Sequence, residues 1–155
     1  MVRTTMVAIA LLTMAKILDA AESHVRFNRT LQVPNSSEVV VVSEGDFEPR
    51  SSGSYALRIY SGSSRKYPLD DFVAGTILPR SGAIERVLVD SIGGGDAIEI
   101  VVVIRSVGSG GHLSADAFRY RAKTLIWVGS VSGLDKRADP LVALRDKAKR
   151  EKASP

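Results

Sequence analysis

The sequence predicts an all-β fold: an antiparallel sandwich or barrel-like single domain that ends in a short C-terminal helix. Three observations predict it. β-Branched, aromatic and other apolar residues gather into about seven short segments, roughly ten to fifteen residues apart. Gly- and Ser-rich breaks that suit tight chain reversal separate them. No helical pattern of useful length falls between them, which disfavours alternating βαβ units.

In chain order, residues 1–21 (MVRTTMVAIALLTMAKILDAA) come first. Arg3 gives a positive start, Met6–Met14 a short apolar run, and Ala20 and Ala21 small residues for cleavage. This is the pattern of a secretory signal peptide, and the run is too short to span a membrane. The β-type segments follow. Glu38–Ser43 (EVVVVS) is β-branched, and Tyr55–Tyr60 (YALRIY) alternates, with Tyr55, Leu57 and Ile59 on one face. Phe72–Leu78, Ile84–Val89 and Ala97–Arg105 come next, the last being the most hydrophobic stretch after the leader. Ala117–Arg121 alternates again, and Thr124–Ser132 contains the only Trp, Trp127, which reads as core. Asp139 is placed to cap a helix, with Pro140 in its first turn and Leu141–Arg150 following. The last residues, KREKASP, are expected to fray. The chain thus divides into a leader (1–21), a β-domain (22–144) and a basic tail (145–155).

Composition narrows the function classes. A chain of 155 residues, 45% hydrophobic and 25% charged, is long and apolar enough to bury its own core. There is no Cys, which excludes disulfides, thiolate metal sites and a lipidated cysteine, and two His (His24 and His112) do not make a metal centre. The net charge of +4 sits at the ends: Arg3, Lys16 and Asp19 in the leader, and five basic against two acidic residues in the tail. Between them fourteen basic and fourteen acidic residues cancel. A neutral body gives no footing for nucleic acid, which needs concentrated Lys and Arg. No cofactor or metal motif is present. The predicted protein is exported and soluble, periplasmic or secreted, without membrane insertion after signal removal.

Two constellations invite chemistry. Val107–Leu113 (VGSGGHL) places Ser109 and His112 near Asp116, but Val107 stands where a nucleophile elbow needs Gly. It reads better as an exposed recognition loop: small residues leave backbone amides accessible, a hydroxyl both donates and accepts, and one ring projects. A hydrolase would need Ser109, His112 and a carboxylate within hydrogen-bond reach. A generic periplasmic ligand-binding domain would show the same loop packed. Asp90–Asp96 (DSIGGGD) resembles a depleted calcium loop and reads as a turn, having too few oxygen ligands.

The strings Ile104–Phe118 (IRSVGSGGHLSADAF), Gly129–Leu134 (GSVSGL), Glu44–Glu48 (EGDFE) and Ser52–Tyr55 (SGSY) together resemble the periplasmic inhibitors of invertebrate-type (I-type) lysozyme, over most of residues 38–144. The resemblance implies an exported, non-catalytic, β-sandwich-like protein of a Gram-negative bacterium. It implies a homodimer with lysozyme as protein partner. It also implies that a loop with a Ser-x-x-Tyr pattern inserts into the lysozyme active-site cleft to protect peptidoglycan. Carried onto this chain, the binding loop is Ser109, Gly110, Gly111 and His112, with His112 where the family has Tyr. Ser52 and Tyr55 show the same spacing and form a second candidate. Arg105, Asp116 and Arg119 are flanking candidates by proximity in sequence.

Overall fold

The computed structural model describes residues 25–90 and 97–153. The leader, His24 and most of the Asp90–Asp96 turn lie outside the described residues. Two antiparallel four-stranded meanders pack as a sandwich, the all-β architecture expected. The first holds β1 (Asn28–Gln32), β2 (Val39–Glu44), β3 (Gly53–Tyr60) and β4 (Phe72–Arg80), in that order. The second holds β5 (Ala83–Asp90), β6 (Ile98–Arg105), β7 (Leu113–Arg121) and β8 (Thr124–Leu134). The helix α1 (Pro140–Ala153) follows. Each expected segment is a strand. β1 is additional: it reads NRTLQ, mostly exposed, with Leu31 alone packing against the core, so it carries little apolar signal.

Alternation explains the core. Val40 and Val42 of β2, Tyr55, Leu57 and Ile59 of β3, and Ile98, Ile100, Val102 and Ile104 of β6 fill the space between the sheets. The intervening residues of β6, Val101 and Val103, face the other way and are also buried. There they join Ala115 and Ala117 of β7 beneath Leu141 and Leu144 of α1. A strand stretch covered on both faces must be apolar throughout, hence the unbroken run Ile100–Ile104 of β6. The small side chains on β7 leave room for the helix. Asp139 caps α1 as expected, its carboxylate accepting the Leu141 N–H at 2.8 Å. The helix extends to Ala153, and Lys147 Nζ donates to the Ser130 carbonyl of β8 at 2.8 Å. Trp127, expected in the core, is corrected. It lies on an edge strand beside a register break and is 54% exposed.

Two phenols stitch the sheets together. Tyr55 of β3 donates to Asp116 of β7 at 2.7 Å, and Tyr120 of β7 donates to Glu38, just before β2, at 2.6 Å. Burial, then the adjacent Asp116, pushes the Tyr55 hydroxyl far above its ordinary value. Burial, then Glu38, does the same at Tyr120. Both remain donors at any working pH. Burial also raises Asp116, against the opposing effect of the Tyr55 hydrogen bond.

Only Ser81 and Gly82 separate β4 from β5, carrying the chain from one sheet to the other. Gly82 has φ 136°, and a side chain there would collide with the Arg105 carbonyl. This short crossover fixes which loops share an end of the sandwich. The β2–β3 loop, the crossover and the β6–β7 loop lie together at one end. The β3–β4 loop and the β7–β8 turn lie at the other. No helix among the described residues is long and apolar enough to cross a membrane.

Candidate functional site

The β6–β7 loop, residues 106–112, is a turn built on backbone hydrogen bonds. At its base the Ser106 N–H donates to the His112 carbonyl at 2.9 Å. At its tip the Gly111 N–H donates to the Gly108 carbonyl at 3.1 Å, leaving Ser109 and Gly110 at the centre. Gly111 has φ 54°, the left-handed conformation that glycine takes without a Cβ penalty. Ser109 is exposed, and its hydroxyl has no partner among the described residues. Nothing lies within 4 Å of a Cβ built on Gly108. The exposed His112 ring folds back over Gly110, where an added Cβ would stand 2.6 Å from Nε2. Ser109, Gly110, Gly111 and His112 thus form one solvent-facing turn.

The flanking candidates are redistributed. Arg105 points inward along the loop: Nη1 donates to the Gly111 carbonyl at 2.9 Å, while Nε pairs with Glu85 of β5. It braces the turn from below. Asp116 faces between the sheets, occupied by Tyr55. Arg119 lies six residues beyond Leu113, roughly 20 Å along β7 at strand rise, and pairs with Glu99 at 3.3 Å. Ser52 is exposed at the same end as the loop, but Tyr55 is fully buried and its ring is not available to a partner. The Ser-x-x-Tyr spacing there is therefore a turn leading into a core strand. No hydrogen bond joins Ser109, His112 and Asp116 among the described residues, so these three do not form a nucleophile, base and acid. The loop stands in solvent, unlike the packed loop expected of a generic ligand-binding domain.

Sequence reasoning missed the group that holds this end together. Arg80 is 3% exposed. Its guanidinium donates to the carbonyls of Ser54 (3.0 Å), Arg50 (3.0 Å), Gly82 (2.5 Å) and Pro49 (3.1 Å). It lies 3.9 Å from Glu44 and 3.6 Å from Glu48. Glu44 accepts the Ile84 N–H at 2.7 Å, linking β2 to β5. Glu48 accepts the Ser54 N–H at 2.6 Å and the Ser54 hydroxyl at 2.8 Å. Those two bonds, with Arg80 and Arg26 nearby, hold the Glu48 carboxyl below its ordinary value despite some desolvation. One buried arginine thus ties the β2–β3 loop to the crossover beside the β6–β7 loop. A charged residue at a strand end normally reads as solvated, and the only hint was the EGDFE string.

Comparison with known proteins gives this geometry a family. The family model for the periplasmic lysozyme inhibitor of I-type lysozyme matches residues 25–148. Among solved structures, the chain is similar to PliI-Ah, the periplasmic lysozyme inhibitor of I-type lysozyme from Aeromonas hydrophila. The identity is 43% and the TM-score 0.70, over 76% of this chain and 98% of that one. It is also similar, at 43% identity and a TM-score of 0.72, to Aeromonas hydrophila PliI solved in complex with Meretrix lusoria lysozyme, over 77% of this chain and 95% of that one. None of the curated proteins matches the chain. The family is one of inhibitors, not enzymes, and the match spans both sheets, the loop end and most of α1. The chain belongs to the family of periplasmic lysozyme inhibitors of I-type lysozyme.

Proposed function

We propose that this protein inhibits an I-type lysozyme by seating the Ser109–His112 turn in the enzyme's active-site cleft. As a member of the family it is a periplasmic lysozyme inhibitor. One observation carries it: a braced, solvent-facing turn presents a Ser109 hydroxyl without a partner of its own, between glycines that add no bulk. Lysozyme clefts pair a protonated carboxyl with a carboxylate. A serine hydroxyl donates to the second while accepting from the first. Gly108 and Gly110 clear the cleft walls, and His112 stands at the family's Tyr position as the one ring of the turn. Such a turn does not act alone. Nanomolar inhibition needs about −12 kcal/mol, and an interface of roughly 1,600 Å² is expected around it. The Aeromonas hydrophila relative is solved with Meretrix lusoria lysozyme, which supports an enzyme of that class as target. Residues 1–21 are proposed as the export leader, on the strength of Arg3 and the Met6–Met14 run.

The test is residual activity of I-type, chicken-type and goose-type lysozymes titrated with the purified protein. The I-type enzyme is expected to be inhibited at near-stoichiometric inhibitor. No effect on any of the three overturns the proposal.

A further inference from the structure

We propose that Phe47 is a second contact for lysozyme: a preorganised aromatic anchor on the β2–β3 loop that packs against the rim of the cleft entered by the Ser109 turn. This rests on the reading of that turn given above. Phe47 is 104% exposed, more than any other large apolar residue described. It also sits at φ 63°, a left-handed conformation that is an outlier for a bulky side chain. A strained, fully solvated phenylalanine contributes nothing to the core of the free protein.

The loop that presents it is held firmly. The Glu48 carboxylate folds back between Gly45 and Gly53, where a Cβ at Gly45 would stand 2.6 Å from it. There it takes both Ser54 donors and faces Arg80. The Gly45 N–H donates to the Ser54 carbonyl at 3.1 Å. Arg80 then grips the Pro49, Arg50 and Gly82 carbonyls, and Gly82 abuts Arg105 and Ser106 at the root of the Ser109 turn. Phe47 and Ser109 therefore project from the same end of the sandwich, on sheets about 10 Å apart. A standard interface of roughly 800 Å² per partner covers such an end. An aromatic ring on a fixed backbone loses little freedom on docking and belongs to the residue types enriched at interfaces.

Kd for Meretrix lusoria lysozyme, melting temperature and sedimentation are measured for the wild type, Phe47→Asn, Phe47→Trp and Ser109→Tyr. Asn tolerates the left-handed conformation, so Phe47→Asn is expected to melt at or above the wild type. It is expected to bind at least about tenfold more weakly, mostly through faster dissociation. Phe47→Trp is expected to stay within about threefold of the wild type. If Phe47→Asn binds like the wild type while Ser109→Tyr does not, the anchor is refuted and the turn stands. If Ser109→Tyr binds like the wild type, the underlying reading fails and this inference with it. A change in sedimentation without a change in Kd assigns Phe47 to a second copy of the chain and overturns the proposal.

Discussion

Gly111 shows how narrowly single residues set the geometry of the Ser109 turn. A Cβ there has room, its nearest neighbour being Arg105 Nη1 at 3.6 Å, but the backbone stands at φ 54°. Gly111→Ala is therefore expected to lower stability by about 1 kcal/mol through conformation alone, read from the urea midpoint at unchanged m. Tyr55 makes the complementary point. Its ring is buried and its hydroxyl is the donor to Asp116, so Tyr55→Phe leaves a half-buried carboxylate without that partner. A loss of about 1–3 kcal/mol is expected in the same measurement. Two signals in the sequence bore on Tyr55 and disagreed. Its alternation with Leu57 and Ile59 placed it on a core face, whereas its spacing from Ser52 placed it in a binding loop. Periodicity was the better guide, because it reports the side of a sheet, whereas a four-residue spacing reports nothing about exposure. The exposure of Ser109 and His112 was legible for the opposite reason: glycines around them exclude a packed strand.

At the scale of elements, the legible strands were those with apolar runs. β1 was invisible because an edge strand with one inward residue has no period to detect. The docking of α1 on β8, where Lys147 donates to the Ser130 carbonyl, lies outside local propensity and left no mark in the sequence. The brace joining β5, β6 and the turn was equally hidden, since Glu85 and Arg105 meet only through strand pairing. Arg105→Ala releases the Gly111 carbonyl, so the turn must be ordered during binding instead of beforehand. Inhibition is expected to weaken by about three- to tenfold with little change in melting temperature, because the pair is partly solvated. Glu85→Gln combined with Arg105→Ala is expected to be less than additive. Equal loss of stability and inhibition would instead mark Arg105 as an ordinary fold contact.

Across the whole molecule, two carboxylates push stability in opposite directions with pH. The folded value of Asp116 lies above the ordinary 3.8. The folded state then holds that proton more tightly than the unfolded chain, and stability falls as pH rises through the window between them. Glu48 lies below its ordinary 4.5. Its contribution is present above the ordinary value and lost as pH falls through the folded one. Asp116→Asn removes the first effect and keeps the second. Its stability relative to wild type is therefore expected to improve as pH rises from about 4 to 6 in urea titrations. A pH-independent difference would contradict the linkage. Charge otherwise takes little part. Arg145 and Lys147 of α1 line a groove with Glu99 and Arg119, toward the end of the second sheet away from the turn, and the body is neutral. Association is thus expected to change by less than about tenfold between low and high salt. What remains is the fit of one turn into one cleft, and Ser109→Tyr addresses it. Purified wild type and variant are titrated against an I-type lysozyme, with melting temperatures recorded in parallel. The variant is expected to lose inhibition while melting within a degree or two of the wild type, since Ser109 is exposed and its hydroxyl has no partner among the described residues. Full inhibition by Ser109→Tyr would contradict this account and move the contact elsewhere on the molecule.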